Sequence, residues 1–354
     1  MRIAFLTEYD SIGGGESNLM NLCSELGKSA EVVLYCDGKL YDQASARGIA
    51  CRRAPLAGRR WLRFLPLPSV GGALRRELSG FDVVHAYSLN VLPRLFMAAR
   101  ALVWTTHGYW ERPNGARARV IKPFVDRVVT VSTDVDKGAE FGAKQRKIFL
   151  GTPIGAEAPV RKPFDPADVR IVCVGRFQRI KGQDLLLQAV GALAAAHPER
   201  RITLELVGDV NGAEKADLDF RAELHASGKT LQAPNLEIRF LGFQKQPRQF
   251  IRAADLVVVP SRYESFSMVA IEALACGKPV VAPDAGGPKD IIDRPELGTL
   301  FQAGDAASLQ QALEQAITGF AGFSFDACVR RADEFSVERQ ARQHMDLYRE
   351  ICRA

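Results

Sequence analysis

Ala254-Asp255-Leu256-Val257-Val258-Val259-Pro260-Ser261-Arg262-Tyr263-Glu264-Ser265-Phe266-Ser267-Met268-Val269-Ala270-Ile271-Glu272-Ala273-Leu274-Ala275 decides the fold class of this chain. Its first seven residues read as a buried strand, because the apolar run is short, β-branched and closed by proline. Met268 onward propagates a helix until Gly277 and Pro279 stop it, and Ser265 is placed to cap it. A strand feeding a helix N-terminus is a ready anion site, because free backbone N–H groups and the helix dipole point the same way. Glu264 and Glu272 stand eight positions apart. Over a helix that is about 12 Å, with the two side chains about 80° apart in azimuth if the first residue is helical. The layout suits a ligand with hydroxyls at one end, a diphosphate in the middle and a ribose beyond. It equally suits a buried βα unit with two solvated carboxylates.

Working outward, strand and helix alternate along the whole chain. Apolar runs predict strands at Arg2–Thr7, Glu31–Tyr35, Asp82–Ala86, Leu102–Thr106 and Arg127–Val131, with helices between them such as Glu16–Leu26. Gly155-Ala156-Glu157-Ala158-Pro159, with Pro163 and Pro166, reads as a linker. Alternation restarts at Arg170–Val174 and continues through Ile202–Val207, Leu236–Phe240, Leu256–Val259 and Pro279–Ala282. The pattern predicts an α/β protein of two doubly wound parallel-sheet domains, 1–157 and 168–336. The amphipathic C-terminal stretch, about 337–354, is expected to pack back on one of them, the first being the assigned choice.

Composition narrows the class. The 354 residues are 47% hydrophobic and 25% charged, ordinary for a globular protein of two domains. No apolar run approaches the roughly 20 residues of a membrane span. The chain opens directly on a strand, and its seven cysteines are scattered with no Cys-x-x-Cys pair, so a reduced cytoplasmic setting is expected. The net charge of +6 is uneven: Arg52, Arg53, Arg59, Arg60, Arg63, Arg75 and Arg76 stand without an acid among them, interleaved with Trp61, Leu62, Phe64, Leu65 and Leu67. Arg52–Arg76 could be a solvated loop, or could dock on anionic lipid at the inner face of a cell membrane. No nucleic-acid motif accompanies it.

Three strand ends carry further candidate groups. Gly13-Gly14-Gly15 follows the first strand and precedes a helix, so a ligand can approach the backbone closely, although Gly-x-Gly-x-x-Gly is not matched. Arg176 and Lys181 stand five apart around the turn that opens the second domain, and both could reach one diphosphate. His107 ends the strand Val103-Trp104-Thr105-Thr106, at the edge where open sheets put ligands, and a structural histidine there fits as well. His85 at a similar edge is read as structural. No histidine pair at ligand spacing and no Asp-x-Asp loop suggest a metal.

Taken in order, Gly175-Arg176, Lys181-Gly182, Val207-Gly208-Asp209, Phe240-Leu241-Gly242, Pro260-Ser261 with Glu264–Glu272, Gly277-Lys278-Pro279-Val280-Val281-Ala282 and Gly286-Gly287 resemble glycosyltransferase family 4. Those are retaining enzymes of the GT-B fold, two Rossmann-like domains facing each other across a cleft. The likeness covers nearly all of 170–315; the N-terminal half matches more loosely, through Gly13–Gly15, the Asp82–His85 strand, His107 and Val131-Ser132. The resemblance implies that the first domain receives an acceptor and the second a nucleoside-diphosphate sugar, UDP- or GDP-linked, with no cofactor and no metal. Arg176 and Lys181 match the pair that neutralises the diphosphate. Glu272 matches the residue that holds the ribose, Glu264 the one that faces the transferred sugar, and His107 the histidine near the reacting centre. Backbone N–H groups of Phe266, Ser267, Met268 and Val269 would meet the sugar or distal phosphate, and Gly13–Gly15 would close over the phosphates. The implied activity is hexosyl transfer to a hydroxyl of a glycan or glycolipid, in lipopolysaccharide or other cell-surface polysaccharide synthesis, with a sugar-nucleotide 2-epimerase or a silent sugar-nucleotide binder as alternatives. The chain departs from the family pattern where Ser267 replaces a common glycine, where Asp290 replaces a Glu, and where Gly151-Thr152-Pro153 replaces an Asn-Gly ending.

Overall fold

In the computed structural model of the protein, residues 1–10, 12–54, 56, 72–95, 100–111, 114–155, 163–212, 214–231 and 233–353 are described. The chain divides into unit 1, Met1–Pro153 with Phe335–Ala354, and unit 2, Ile154–Glu334.

Unit 1 holds β1 (Arg2–Leu6), β2 (Glu31–Cys36), β3 (Cys51–Arg53), β4 (Val83–Ala86), β5 (Leu102–Thr106), β6 (Arg127–Thr130) and β7 (Gln145–Lys147). They form one parallel sheet in the order β3-β2-β1-β4-β5-β6-β7. Parallel sheets are covered on both faces, so their inner strands are apolar at every position. Ile3, Phe5, Val83 and Val103 accordingly fill one core while Ala4, Leu6, Val84 and Trp104 fill the other. The C-terminal helix Val337–Arg353 adds Ala341, Met345 and Tyr348 to the first of these cores. Thr152 accepts from Val337 (3.1 Å) and donates to Phe335 (3.0 Å) through its backbone, so the two passages of the chain out of unit 1 are bonded to each other.

Unit 2 holds β8 (Asp168–Val174), β9 (Arg201–Val207), β10 (Leu236–Gly242), β11 (Leu256–Val258), β12 (Val280–Pro283) and β13 (Gly298–Phe301), again all parallel, in the order β10-β9-β8-β11-β12-β13. Strand order reverses between β1 and β4 in unit 1, and between β8 and β11 in unit 2. Beyond the carboxyl ends of such a pair the connections diverge to opposite faces and leave room for a ligand.

Three strands lie outside the sequence expectation: β3, β7 and β13. All are edge strands of three or four residues. An edge strand is half-solvated, and Cys-Arg-Arg or Gln-Arg-Lys offers no apolar run to read. Of Arg52–Arg76, residues 55 and 57–71 lie outside the described ones, and with them most of the expected anionic-surface contact. Arg52 pairs with Glu77, and Arg53 with Asp37 (3.2 Å) and Asp42 (2.9 Å). Among the described residues no helix is long and apolar enough to cross a membrane.

Candidate active site

The carboxyl ends of β8, β11 and β12 are joined backbone to backbone, and glycine makes this possible at two points. Gly182 has φ +71°, and a Cβ there would lie 2.0 Å from the carbonyl oxygen of Pro260. Gly286 has φ +68°, and its Cβ would lie 2.0 Å from the carbonyl oxygen of Glu264, which also accepts from Gly287 N–H at 3.0 Å. No L side chain fits either position. A bidentate pair locks the same loops from outside: Arg262 donates to both Asp184 oxygens at 2.8 Å, and its N–H donates to Ile180 O at 2.8 Å. Burial opposes the Asp184 charge, but the Arg262 fork prevails and holds this carboxyl below its usual range.

Inside this frame Lys181 Nζ donates to Glu264 Oε2 at 2.7 Å, and Ser261 Oγ donates to the same oxygen at 3.1 Å. The structure thus brings together two of the candidate residues that sequence reading assigned separate tasks. Arg176 is exposed and, among the described residues, makes no ion pair. Its carbonyl is held by Gln183 Nε2 at 2.8 Å. Gln183 is 1% exposed, and its Oε1 has no partner among the described residues. Sequence reading missed Gln183, since a glutamine at the start of a helix carries no signal of its own.

The helix after β11 runs Met268–Ala275, and Ser267, not Ser265, is its cap: Ser267 Oγ accepts from Ala270 N–H at 3.4 Å. Glu264 therefore precedes the helix by four residues, and the helical azimuth does not apply to it. Ser267 has φ +93° and ψ 84°, the one non-glycine residue at positive φ among the described residues. The N–H groups of Met268 and Val269 open the helix without intrahelical acceptors. Phe266 is 1% exposed, so its ring belongs to the core and only its backbone can serve a ligand. Glu272, one turn into the helix, is partly exposed; desolvation raises its carboxyl above the ordinary range while Arg248 pulls the other way.

In unit 1 the candidates lie at the ends of β1 and β5. The helix Gly14–Leu26 starts inside the glycine run, and a Cβ at Gly15 would meet no atom within 4 Å. His107 follows β5; burial lowers its ring to about 4, so it is neutral near pH 7, and its Nε2 is buried with no partner among the described residues. The ring lies 4.5 Å from that of Tyr87, at 61°. His85 has a structural place: its ring nitrogens bond Tyr348 Oη (2.6 Å) and Thr105 Oγ1 (2.7 Å). Sequence reading also missed Glu111, a 3% exposed carboxyl at the end of the turn that follows His107.

Comparison with known proteins places these units. Residues 168–319 match the family model "Glycosyl transferases group 1", and residues 12–147 match "Glycosyltransferase Family 4". The chain is 38% identical over 298 residues to D-inositol 3-phosphate glycosyltransferase 2 of Catenulispora acidiphila, covering 78% of this chain and 67% of that protein. It is 34% identical over 301 residues to D-inositol 3-phosphate glycosyltransferase of Rhodococcus erythropolis, over 78% of this chain and 64% of that one, so it spans a little under two thirds of such a relative. Among solved structures, HepE of Anabaena in complex with UDP superposes with a TM-score of 0.80 at 23% identity, over 99% of this chain and 100% of that one. Sucrose-phosphate synthase of Thermosynechococcus elongatus gives 0.77 at 21%, over 99% and 98%.

Proposed function

The chain belongs to glycosyltransferase family 4, with the two parallel-sheet units of the GT-B fold, and from that premise we propose that it transfers a hexose from a nucleoside-diphosphate sugar to a hydroxyl with retention of anomeric configuration. The observation that carries the reading is the Lys181–Glu264 contact at the β8/β11 reversal, beside an exposed Arg176 and the open end of a helix. In our reading Lys181 and Arg176 neutralise the departing diphosphate. The negative charge of that leaving group develops in the transition state, and preorganised cations and N–H groups stabilise it there. Glu264 already holds Lys181, so the ammonium is aimed before the donor arrives. When the diphosphate shares it, the Glu264 carboxylate is released toward the sugar hydroxyls. Glu272 takes the ribose hydroxyls. His107 and Gly13–Gly15 are assigned to the donor from the family likeness alone.

Of the two carboxylates assigned to the donor, Glu272 is taken by the ribose and Glu264 by the sugar hydroxyls, so neither is left to act as a nucleophile at the anomeric carbon. The acceptor oxygen is therefore taken to attack on the face the diphosphate leaves, giving its proton to a departing phosphate oxygen. UDP is the favoured nucleotide, since the fold relative HepE holds UDP and UDP-glucose. For the acceptor we propose a glycan or glycolipid hydroxyl; the curated relatives are named for an inositol phosphate, which is likewise a polyol.

A panel of UDP- and GDP-sugars, each with an inositol phosphate, a lipid-linked saccharide or no acceptor, read by mass spectrometry, tests this. Transfer, or slow hydrolysis to free sugar and nucleotide, supports it. Epimerised donor, or binding without turnover, overturns it.

A further inference from the structure

We propose that Glu111 is a positioning residue for His107, fixing the main chain of His107 and that of the neighbouring loop at Leu89 through one buried carboxylate. This rests on the role given to His107 above.

The turn Tyr109–Glu111 starts two residues after His107 and brings Glu111 back beneath it. Glu111 Oε2 accepts from His107 N–H at 2.7 Å, and Oε1 accepts from Leu89 N–H at 3.0 Å. Leu89 follows β4 and His107 follows β5, and these strands are neighbours, with Ala86 opposite Trp104. Their ends would otherwise leave one buried and one part-buried N–H group without this acceptor, which is costly. One carboxylate satisfies both and sets the spacing of the two loops. Tyr87 lies on the loop so fixed, 2% exposed, with its ring against His107 and its hydroxyl donating to Asn18 Oδ1 at 2.6 Å. Asn18 belongs to the helix that the glycine run opens. The His107 ring thus has its backbone set by Glu111 and its back set by Tyr87, while its Nε2 stays buried and unbonded among the described residues. A buried imidazole nitrogen held in place with no protein partner is suited to a hydrogen bond with a ligand.

The two bonds ask for two acceptor oxygens. A glutamine keeps the shape and supplies only one; its amide would face the second N–H donor to donor. Burial raises the Glu111 carboxyl to about 7, with Glu8 adding to the rise; Tyr9, Tyr87 and His107 are its other titratable neighbours.

The test is a double-mutant cycle of Glu111→Gln and His107→Ala, measuring kcat and donor KM, with NMR of the His107 ring in wild type and Glu111→Gln. The expected result is a fall in kcat of about tenfold to a hundredfold for Glu111→Gln, with donor KM within about twofold and no further fall in the His107→Ala background. The His107 ring signals should move in Glu111→Gln. If Glu111→Gln cannot be purified folded, Glu111→Asp, which keeps the charge and shortens the reach, carries the same cycle. Losses that add across the cycle, an unchanged kcat, or unmoved His107 signals overturn the proposal. A wild-type protein that turns over no nucleotide sugar would defeat the functional reading instead, and the NMR comparison would still decide whether Glu111 sets the His107 ring.

Discussion

Acid should loosen unit 1 through its C-terminal helix, and His344 allows the effect to be isolated. His344 is 1% exposed; its Nδ1–H donates to Gln340 O at 2.9 Å, and its Nε2 has no partner among the described residues. Its ring lies 5.6 Å from that of His85 and 5.9 Å from that of Tyr348. Burial lowers its pKa from 6.5 to about 4. The folded form therefore binds fewer protons than the unfolded form between these values. Its stabilising share is complete above the unfolded value and is lost as pH falls through 6.5 toward 4. At pH 5 linkage gives a loss of about 2 kcal/mol, approaching about 3 kcal/mol below both values. His85 and His107 act in the same direction and Glu111 in the opposite one. Subtracting the loss of His344→Phe between two pH values from that of the wild type removes most of these shared terms. Urea unfolding followed by tryptophan fluorescence suits unit 1, because Trp61, Trp104 and Trp110 all fall within Met1–Pro153. Between pH 8 and pH 5 the wild type should lose about 2 kcal/mol more than His344→Phe, roughly 1 M urea in midpoint. An equal loss in both proteins would refute the reasoning, because it would mean that the His344 ring carries no excluded proton.

Three further outcomes follow from unit 2. Lys181→Ala should lower kcat by about 3–4 kcal/mol of transition-state stabilisation, measured as turnover at saturating donor; unchanged turnover would remove Lys181 from the leaving-group site. Glu272→Gln should raise donor KM with kcat nearly kept, whereas Glu264→Gln should lower kcat with KM nearly kept; steady-state kinetics showing the reverse would exchange their tasks. Gly182→Ala should unfold unit 2 several degrees earlier, since its Cβ would lie 2.0 Å from Pro260 O at a positive φ; a calorimetric transition unchanged from wild type would contradict the packing.

The central strands were legible in the chain because burial on both faces writes them as apolar runs. Phe5, Val84, Val103, Val172 and Val257 all lie in such runs, and each is 0% exposed. The edge strands β3 and β7 were not, since each has only one neighbour and a polar sequence, whereas the more apolar edge strand β10 was. The motif residues could be placed at strand ends, but their partners could not. Arg262 reaches Asp184 across 78 positions, and Glu111 reaches Leu89 across 22. No local period encodes such contacts. The cap of the helix after β11 was misread for a related reason. Ser265 and Ser267 are equally good capping residues, and the choice between them depends on the left-handed turn at Ser267, which serine rarely adopts.

That turn links the departure from the family pattern to a physical cost. A serine at φ +93° is strained by about 1–2 kcal/mol relative to glycine, and its Oγ recovers part of this by capping Ala270 N–H. The residue is also 5% exposed, so its hydroxymethyl group occupies space in the loop that leads from Glu264 to the open N–H groups of Met268 and Val269. Glycine there would relieve the backbone and remove the side chain at once. If serine were kept only as a cap, Ser267→Gly should leave the relative rates on different donor sugars unchanged. If it shapes the space beside the transferred sugar, the variant should hold its thermal midpoint within a few degrees while its preference among UDP-sugars broadens toward bulkier ones. The strained conformation favours the second account, because a cap alone could be supplied without strain by a serine at ordinary φ.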